Sequence, residues 1–260
     1  MMTVNMPDGY AIAEFETLDS TNKQAYRLAQ MGEFGPMLIF TKNQSHGKGR
    51  NGRVWLSSND TLTATILISS KAPKENVAQL AFVMAIAAHK TVCEFADADK
   101  HQHIGLKWPN DILVQGRKLA GILIESFTIK DNADSVLAIG IGMNIDNIPS
   151  DGDFSASALS QLCTNSELDK PIKIETILSS LVQNFATYFD LWAEGKNFAS
   201  IRKIWLANAI GLGGKITARL PNQSIYGVFE RLDEDGILIL RDEAGEIHQI
   251  TAGDIFIGHI

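Results

Sequence analysis

The chain has 260 residues, 45% hydrophobic and 20% charged, which is enough apolar material for a full core and excludes a disordered chain. Twenty-three basic against thirty acidic residues leave a formal net charge of −7, which disfavours a surface built wholesale to neutralise nucleic-acid phosphates, so any anion site must be local. Cys93 and Cys163 lie far apart with no thiol or paired histidine at ligand spacing, so the sequence supports neither a disulfide framework nor a zinc site, and a reducing cytoplasm is the default location.

The first ten residues lack a basic start followed by an apolar run, so no secretory signal is expected. From Asp19 the chain reads as a helix: Thr21 followed by Gln24 fits a capping box, Ala25, Leu28 and Ala29 give an apolar face, and Gly32 ends it. Met37 to Thr41 reads as a strand, Lys42 to Arg53 as a polar, glycine-rich loop, and Thr61 to Ser69 as a strand alternating threonine with aliphatic residues. Lys74 to Ala96 carries apolar residues at helical spacing. Its longest apolar stretch, Leu80 to Ala88, falls short of the roughly 20 residues that span a bilayer, so no membrane association is expected.

Ile104 to Trp108, Ile112 to Gln115, Lys118 to Ser126 and Val136 to Ile145 read as strands of hairpins, with a tight turn at Gln115-Gly116-Arg117. Residues 146–170 are polar and irregular. Ile174 to Trp192 traces an amphipathic helix, and Phe198 to Ala207 a second. From Gly211 five short β-rich runs (Lys215 to Leu220, Ser224 to Arg231, Ile237 to Arg241, Glu246 to Thr251, Asp254 to Ile257) suggest a small barrel. Residues 208–260 hold four basic and eight acidic residues, a net of −4, which suits packing or a protein contact better than a phosphate backbone.

The segment His46-Gly47-Lys48-Gly49-Arg50-Asn51-Gly52-Arg53-Val54-Trp55 contains the pattern G-x-G-x-x-G. A dinucleotide fold would need these glycines to open a helix, and here a strand-like run follows. A protein kinase would need V-A-I-K, H-R-D and D-F-G elements, which do not occur. The loop is nonetheless cationic, with Lys42, Lys48, Arg50 and Arg53 and no acid. Free backbone amides and guanidinium groups can wrap a phosphate, and the alternative is a solvated basic loop.

Downstream stand Lys107-Trp108-Pro109-Asn110-Asp111, then Arg117-Lys118-Leu119-Ala120-Gly121-Ile122-Leu123-Ile124-Glu125, then Gly140-Ile141-Gly142-Met143-Asn144-Ile145. With Asp19-Ser20-Thr21-Asn22, Gln44 and the glycine-rich loop, they resemble the biotin protein ligase family, in that family's order, over most of the chain. The resemblance implies an α/β (α+β) catalytic domain with a mixed β-sheet flanked by helices over residues 1–207, and a small SH3-like β-barrel over residues 208–260. It implies ATP- and Mg2+-dependent activation of biotin to biotinyl-5′-AMP, then transfer to a lysine of a biotin carboxyl carrier domain of acetyl-CoA carboxylase or a related carboxylase. DNA is not an expected partner: Ser-Thr-Asn begins at Ser20, which leaves no room for the helix-turn-helix that some relatives carry. A homodimer stays open.

By the same resemblance Lys118 touches both the biotin carboxylate and the α-phosphate and is the main electrostatic catalyst, with Arg50 and Asp111 as further catalytic residues. Ser20, Thr21, Asn22 and Gln44 would hold biotin, although Ser20 or Thr21 would also serve as a helix cap. Gly47, Lys48, Gly49, Arg50 and Arg53 would wrap the phosphates. Lys48 stands where the family commonly has arginine and lacks the bidentate fork. Trp55 would stack on adenine, or else fill the core; Lys107, Gly121 and Asn144 complete the binding set, with Asn144 and Asp111 near the nucleotide and its metal. The six histidines (His46, His89, His101, His103, His248, His259) have no metal-ligand spacing and read as structural or solvated. Two rival readings remain: a lipoate or octanoate ligase of the same fold, and a non-catalytic biotin or nucleotide sensor.

Overall fold

The computed structural model describes residues 4–57, 60–130, 134–146, 155–163 and 173–257. The N-terminal residues 1–3, most of the polar stretch 146–170, and His259 lie outside them. The first strand, β1 (Ala11–Leu18), pairs in parallel with β2 (Met37–Gln44), and α1 (Thr21–Gln30) connects the two. Sequence periodicity does not announce β1. It is an edge strand whose residues are all half-buried or exposed, so it lacks the clean apolar alternation of a strand buried on one face. The glycine-rich segment is more ordered than a loop: β2 runs on to Gln44, and β3 (Gly47–Lys48) pairs antiparallel with β4 (Val54–Trp55) around one 3-10 turn at Arg50–Gly52.

After β5 (Thr61–Ser70) a 3-10 segment, Lys74–Gln79, leads into α2 (Leu80–Phe95), so the expected helix starts with a tighter turn. Strands β6 (Ile104–Lys107), β7 (Asp111–Val114), β8 (Arg117–Phe127) and β9 (Ser135–Asn144) complete a seven-stranded mixed sheet in the order β1-β2-β5-β9-β8-β7-β6. Every pairing after β1–β2 is antiparallel. The β7–β8 turn places Gln115 and Gly116 at positive φ, as expected of a tight hairpin.

Alternation along the strands divides the sheet into two faces. On one, Leu62, Ala64 and Ile66 of β5 and Leu137, Ile139 and Ile141 of β9 meet α2, α3 (Ile174–Trp192) and α4 (Phe198–Ala207) in the main core. Val83, Met84, Leu181 and Phe185 are fully buried there, and each such side chain contributes about 1.5–3 kcal/mol on leaving water. Lys74–Phe95 spans 22 residues and is apolar enough by composition to cross a membrane. Its burial beneath the sheet accounts for the apolar run.

On the other face Ala25 and Ala29 of α1 pack on Ile39, Leu67, Val136 and Ala138. Small alanines let the helix lie close to the sheet. The helix covers the Leu67–Ala138 end of the β5–β9 pair, and the next two rungs, Thr65–Gly140 and Thr63–Gly142, carry only small side chains on this face.

The C-terminal unit comprises β10 (Lys215–Arg219), β11 (Ser224–Leu232), β12 (Leu238–Asp242), β13 (Ile247–Ile250) and β14 (Asp254–Ile257), ordered β13-β12-β11-β10-β14. It is the small antiparallel SH3-like sheet, with β13 and β14 as the two edges of its hydrogen-bonded ladder. Its core residues Ile216, Phe229, Leu238 and Ile255 join the main core. Trp108 Nε1 donates to the Gly236 carbonyl at 3.0 Å, and Leu106 exchanges backbone bonds of 2.8 Å with Asn208 and Ile210. The unit is thereby docked against β6 and the loop that follows it.

Candidate functional site

A cavity of about 570 Å³ opens over the stretch of sheet that α1 leaves uncovered. At the α1 end Ser20 is the N-cap, its Oγ accepting the Lys23 N–H at 3.5 Å. The expected Thr21–Gln24 capping box is replaced, because Thr21 is already the first helical residue and its N–H donates to Gln44 Oε1 at 2.9 Å. Ser20, Thr21 and Asn22 are all buried. The Thr65 hydroxyl lies 2.7 Å from Thr21 Oγ1 and 2.6 Å from Asn22 Oδ1, and Asn22 Nδ2 donates to Glu125 Oε2 at 2.8 Å. Behind them Arg27 grips Asp19 with two bonds of 2.9 and 2.8 Å, and this hydrogen bonding holds the Asp19 carboxyl well below the usual carboxylate range. The side chains that line the cavity at this end are uncharged and rich in hydrogen-bonding groups.

The opposite end is cationic. Its central lysine owes its direction to a β-bulge: Ile112 pairs with Ala120 and Leu113 with Lys118, so Leu119 is the extra residue. Leu119 and Ala120 both turn into the main core, which brings Lys118 onto the cavity face together with Gly121. Lys118 Nζ lies 2.7 Å from Asp111 Oδ1 and 5.7 Å from the centre of the Trp55 ring. Trp55 rests on Gly142, where a Cβ would lie 2.5 Å from its Nε1 and Cζ2. The indole Nε1 and Asn144 Oδ1 are buried without a hydrogen-bond partner among the described residues. Asn144 Nδ2, by contrast, donates to the Ser157 carbonyl at 3.0 Å.

Arg50 donates to Asn110 Oδ1 at 3.1 Å, and Asn110 is fixed in turn by a 2.5 Å bond to the Ile122 carbonyl. Burial pushes the Arg50 pKa down, opposed by nearby Asp111. Arg53 forms a forked ion pair with Asp254 of the C-terminal unit, and that hydrogen bonding lowers the Asp254 pKa. Lys48, Arg50, Arg53 and Lys118 therefore face two carboxylates, Asp111 and Asp254, around one cavity. Four cations against two carboxylates leave this part of a net acidic chain locally positive.

Of the residues expected from sequence, Ser20, Thr21, Asn22, Gln44, Lys48, Gly49, Arg50, Arg53, Trp55, Asp111, Lys118, Gly121 and Asn144 line the cavity, and Gly47 and Lys107 do not. Gly47 lies behind the wall, pressed on the Trp55 backbone and the Gln44 amide. Lys107 pairs across strands with Asp111 and stands 5.8 Å from the Phe256 ring, where burial pushes its pKa down. Asn110, Leu123, Gly140 and Gly142 line the cavity from motifs already quoted, and Thr63 from the alternating strand. Asp254 had no local signal: it is one acid among several in a unit expected only to pack or to contact protein. His248 Nε2 meets Asp242 Oδ2 at 2.7 Å with Glu246 nearby, and none of the three lines the cavity.

Residues 14–144 match the biotin/lipoate A/B protein ligase family, and residues 211–258 match the biotin protein ligase C-terminal domain. The chain is 34% identical over 243 residues to the biotin–[acetyl-CoA-carboxylase] ligase of Paracoccus denitrificans, covering 92% of this chain and 98% of the relative. It is 30% identical over 248 residues to the bifunctional ligase/repressor BirA of Bacillus spizizenii, covering 94% of this chain and 73% of the relative. Its fold is similar to that of the Aquifex aeolicus biotin protein ligase solved in complex with biotin and ATP, with a TM-score of 0.77, 24% identity and coverage of 95% and 99%. A similar match is the Leishmania major biotin protein ligase solved with biotin, with a TM-score of 0.62, 20% identity and coverage of 95% and 99%.

Proposed function

The chain belongs to the biotin/lipoate A/B protein ligase family, and from that premise we infer that it is an ATP-dependent biotin protein ligase. It activates biotin to biotinyl-5′-AMP and then transfers the biotinyl group to a lysine of a biotin carboxyl carrier domain. One observation carries the reading: a single cavity joins a buried, uncharged hydrogen-bonding end at Ser20, Thr21 and Asn22 to a cationic end at Lys48, Arg50, Arg53 and Lys118. That division suits an apolar bicycle with a polar ureido edge at one end and a triphosphate at the other. Within the family, the biotin protein ligase module at residues 211–258 favours biotin over lipoate.

In the first half-reaction a biotin carboxylate oxygen attacks the α-phosphorus, a phosphorus–oxygen bond forms, and pyrophosphate leaves with the electron pair of the bond that breaks. Two anions must approach, so cations fixed beforehand lower the barrier more than cations that must reorganise. Lys118, whose Nζ lies 2.7 Å from Asp111 at the cationic end, would neutralise the charge that develops at the α-phosphate. Arg50 and Arg53 would bind the leaving phosphates, Arg53 giving up its fork on Asp254 to do so. Trp55 and the unpartnered Asn144 Oδ1 are available to the adenine ring and its donors. Mg2+ takes hard oxygen ligands, commonly one or two carboxylates plus phosphate oxygens. Asp111 fits that set, and Mg2+ bound there would offset triphosphate charge.

In the second half-reaction the acceptor amine attacks the acyl carbonyl, an amide forms and AMP leaves. Until then water must be kept from the adenylate. Val54 and Leu56, 73% and 44% exposed at the cavity rim, are suited to cover it once a ligand is seated. The finer assignments are a carrier domain of acetyl-CoA carboxylase or a related biotin-dependent carboxylase as acceptor, and a cytoplasmic location. Pyrophosphate release with Mg-ATP and biotin, lipoate or neither, followed by a search for lysine-linked biotin on an added carrier domain, tests the reading. Biotin-dependent release followed by transfer is expected. Release with lipoate but not biotin would overturn the substrate, and no release with either acid from folded protein would overturn the activity.

A further inference from the structure

We propose that Glu125 is a positioning residue: it fixes the orientation of the Asn22 side-chain amide so that Asn22 shows the cavity a hydrogen-bond acceptor, which selects a ligand carrying an N–H at that end. The inference rests on the biotin reading of the cavity. An asparagine amide has two donors on one side and an acceptor oxygen on the other, and its neighbours decide which faces a ligand. Asn22 Nδ2 spends its hydrogens on the sheet, at 2.8 Å to Glu125 Oε2 and at 3.3 Å to the Leu123 carbonyl. Its Oδ1 takes the Thr65 hydroxyl at 2.6 Å, which leaves one lone pair over.

Of these neighbours Glu125 and Leu123 impose a direction, because an ionised carboxylate and a carbonyl only accept, whereas the Thr65 hydroxyl both donates and accepts. The Glu125 bond is the shorter and the charge-assisted one. A flipped amide would set Asn22 Oδ1 against the carboxylate, two acceptors facing each other. Gly140 gives the Asn22 amide the room it needs, since a Cβ there would collide with it. Asn22 therefore presents only an acceptor, which matches a ureido N–H. The dithiolane ring of a lipoyl group has no such donor.

Glu125→Ala and Glu125→Met, the second keeping side-chain length without an acceptor, release the amide; Glu125→Gln keeps an acceptor within reach of Asn22. Steady-state pyrophosphate release is measured for each with biotin, with ATP varied, and with the cyclic carbamate analogues in which a ring oxygen replaces either ureido N–H. The Ala and Met variants are expected to raise the KM for biotin about ten-fold, the scale of one hydrogen bond, with kcat and the KM for ATP within two-fold. Their preference for biotin over at least one carbamate should shrink by about the same factor, and Gln should restore both readouts to within three-fold. Active wild type with an unchanged biotin KM and carbamate preference in the folded Ala or Met variant overturns the role of Glu125 alone. Parallel loss of kcat, ATP affinity and melting temperature in all three variants overturns it in favour of a general structural role. Wild type that releases no pyrophosphate with biotin overturns the biotin reading and this inference together.

Discussion

Replacing Lys118 with alanine separates the cost to folding from the cost to chemistry. Its ammonium lies 2.7 Å from Asp111, and the two side chains keep 28% and 16% of their surface exposed. A pair still reached by water contributes about 0–1 kcal/mol to stability. For a chain of this size, 1 kcal/mol moves the melting temperature by about 2–4 °C. A preorganised donor aimed at charge that develops in the transition state is worth about 2.7–4 kcal/mol, or 10²- to 10³-fold in rate. Chemistry should therefore suffer far more than folding. The assay is single-turnover pyrophosphate release at saturating biotin and Mg-ATP, paired with transfer from preformed biotinyl-5′-AMP to a carrier domain. Release is expected to fall 10²- to 10³-fold, with a melting temperature within about 4 °C of wild type. A folded variant whose release rate stays within three-fold of wild type would refute the electrostatic role of Lys118.

Asp254→Asn removes a charged partner of Arg53. The folded pKa of Asp254 is lowered, so its contribution to stability is present above the unfolded value of about 4 and is lost as pH falls through the folded value. The melting-temperature gap between wild type and variant should therefore be widest near neutrality and close below about pH 4; a gap that widens on acidification contradicts the assignment. Gly142→Ala puts a methyl group 2.5 Å from the Trp55 indole nitrogen. The ring should leave the floor and its emission shift to the red, measured as a difference against the same change in a Trp55→Phe background; unchanged emission would show that the ring does not rest there in solution. Ser20→Ala should cost only about 0.5 kcal/mol in urea denaturation, the low end for an N-cap, because its 3.5 Å bond is long. A loss above about 2 kcal/mol would mean that Ser20 does more than cap.

The elements with complete local signals were legible in the sequence. Ile174–Trp192 and the Thr61–Ser70 strand follow apolar spacing that the neighbouring residues themselves encode. The motifs around Ser20, Arg50, Asp111, Lys118 and Asn144 carry the family resemblance, and with it biotin, ATP and a carrier lysine. Tertiary structure decided what depends on register and docking. The bulge at Leu119 turns Lys118 toward the cavity, while Lys107, opposite Asp111 on the neighbouring strand, stays outside the cavity lining. The pairing of Thr63 with Gly142 makes a floor bare enough to admit Trp55. Docking of the C-terminal unit carries Asp254 to Arg53 across 201 residues of chain. Helical and strand periodicities report only on neighbours a few residues apart, whereas a cavity is made by side chains that meet because strands pair and units pack.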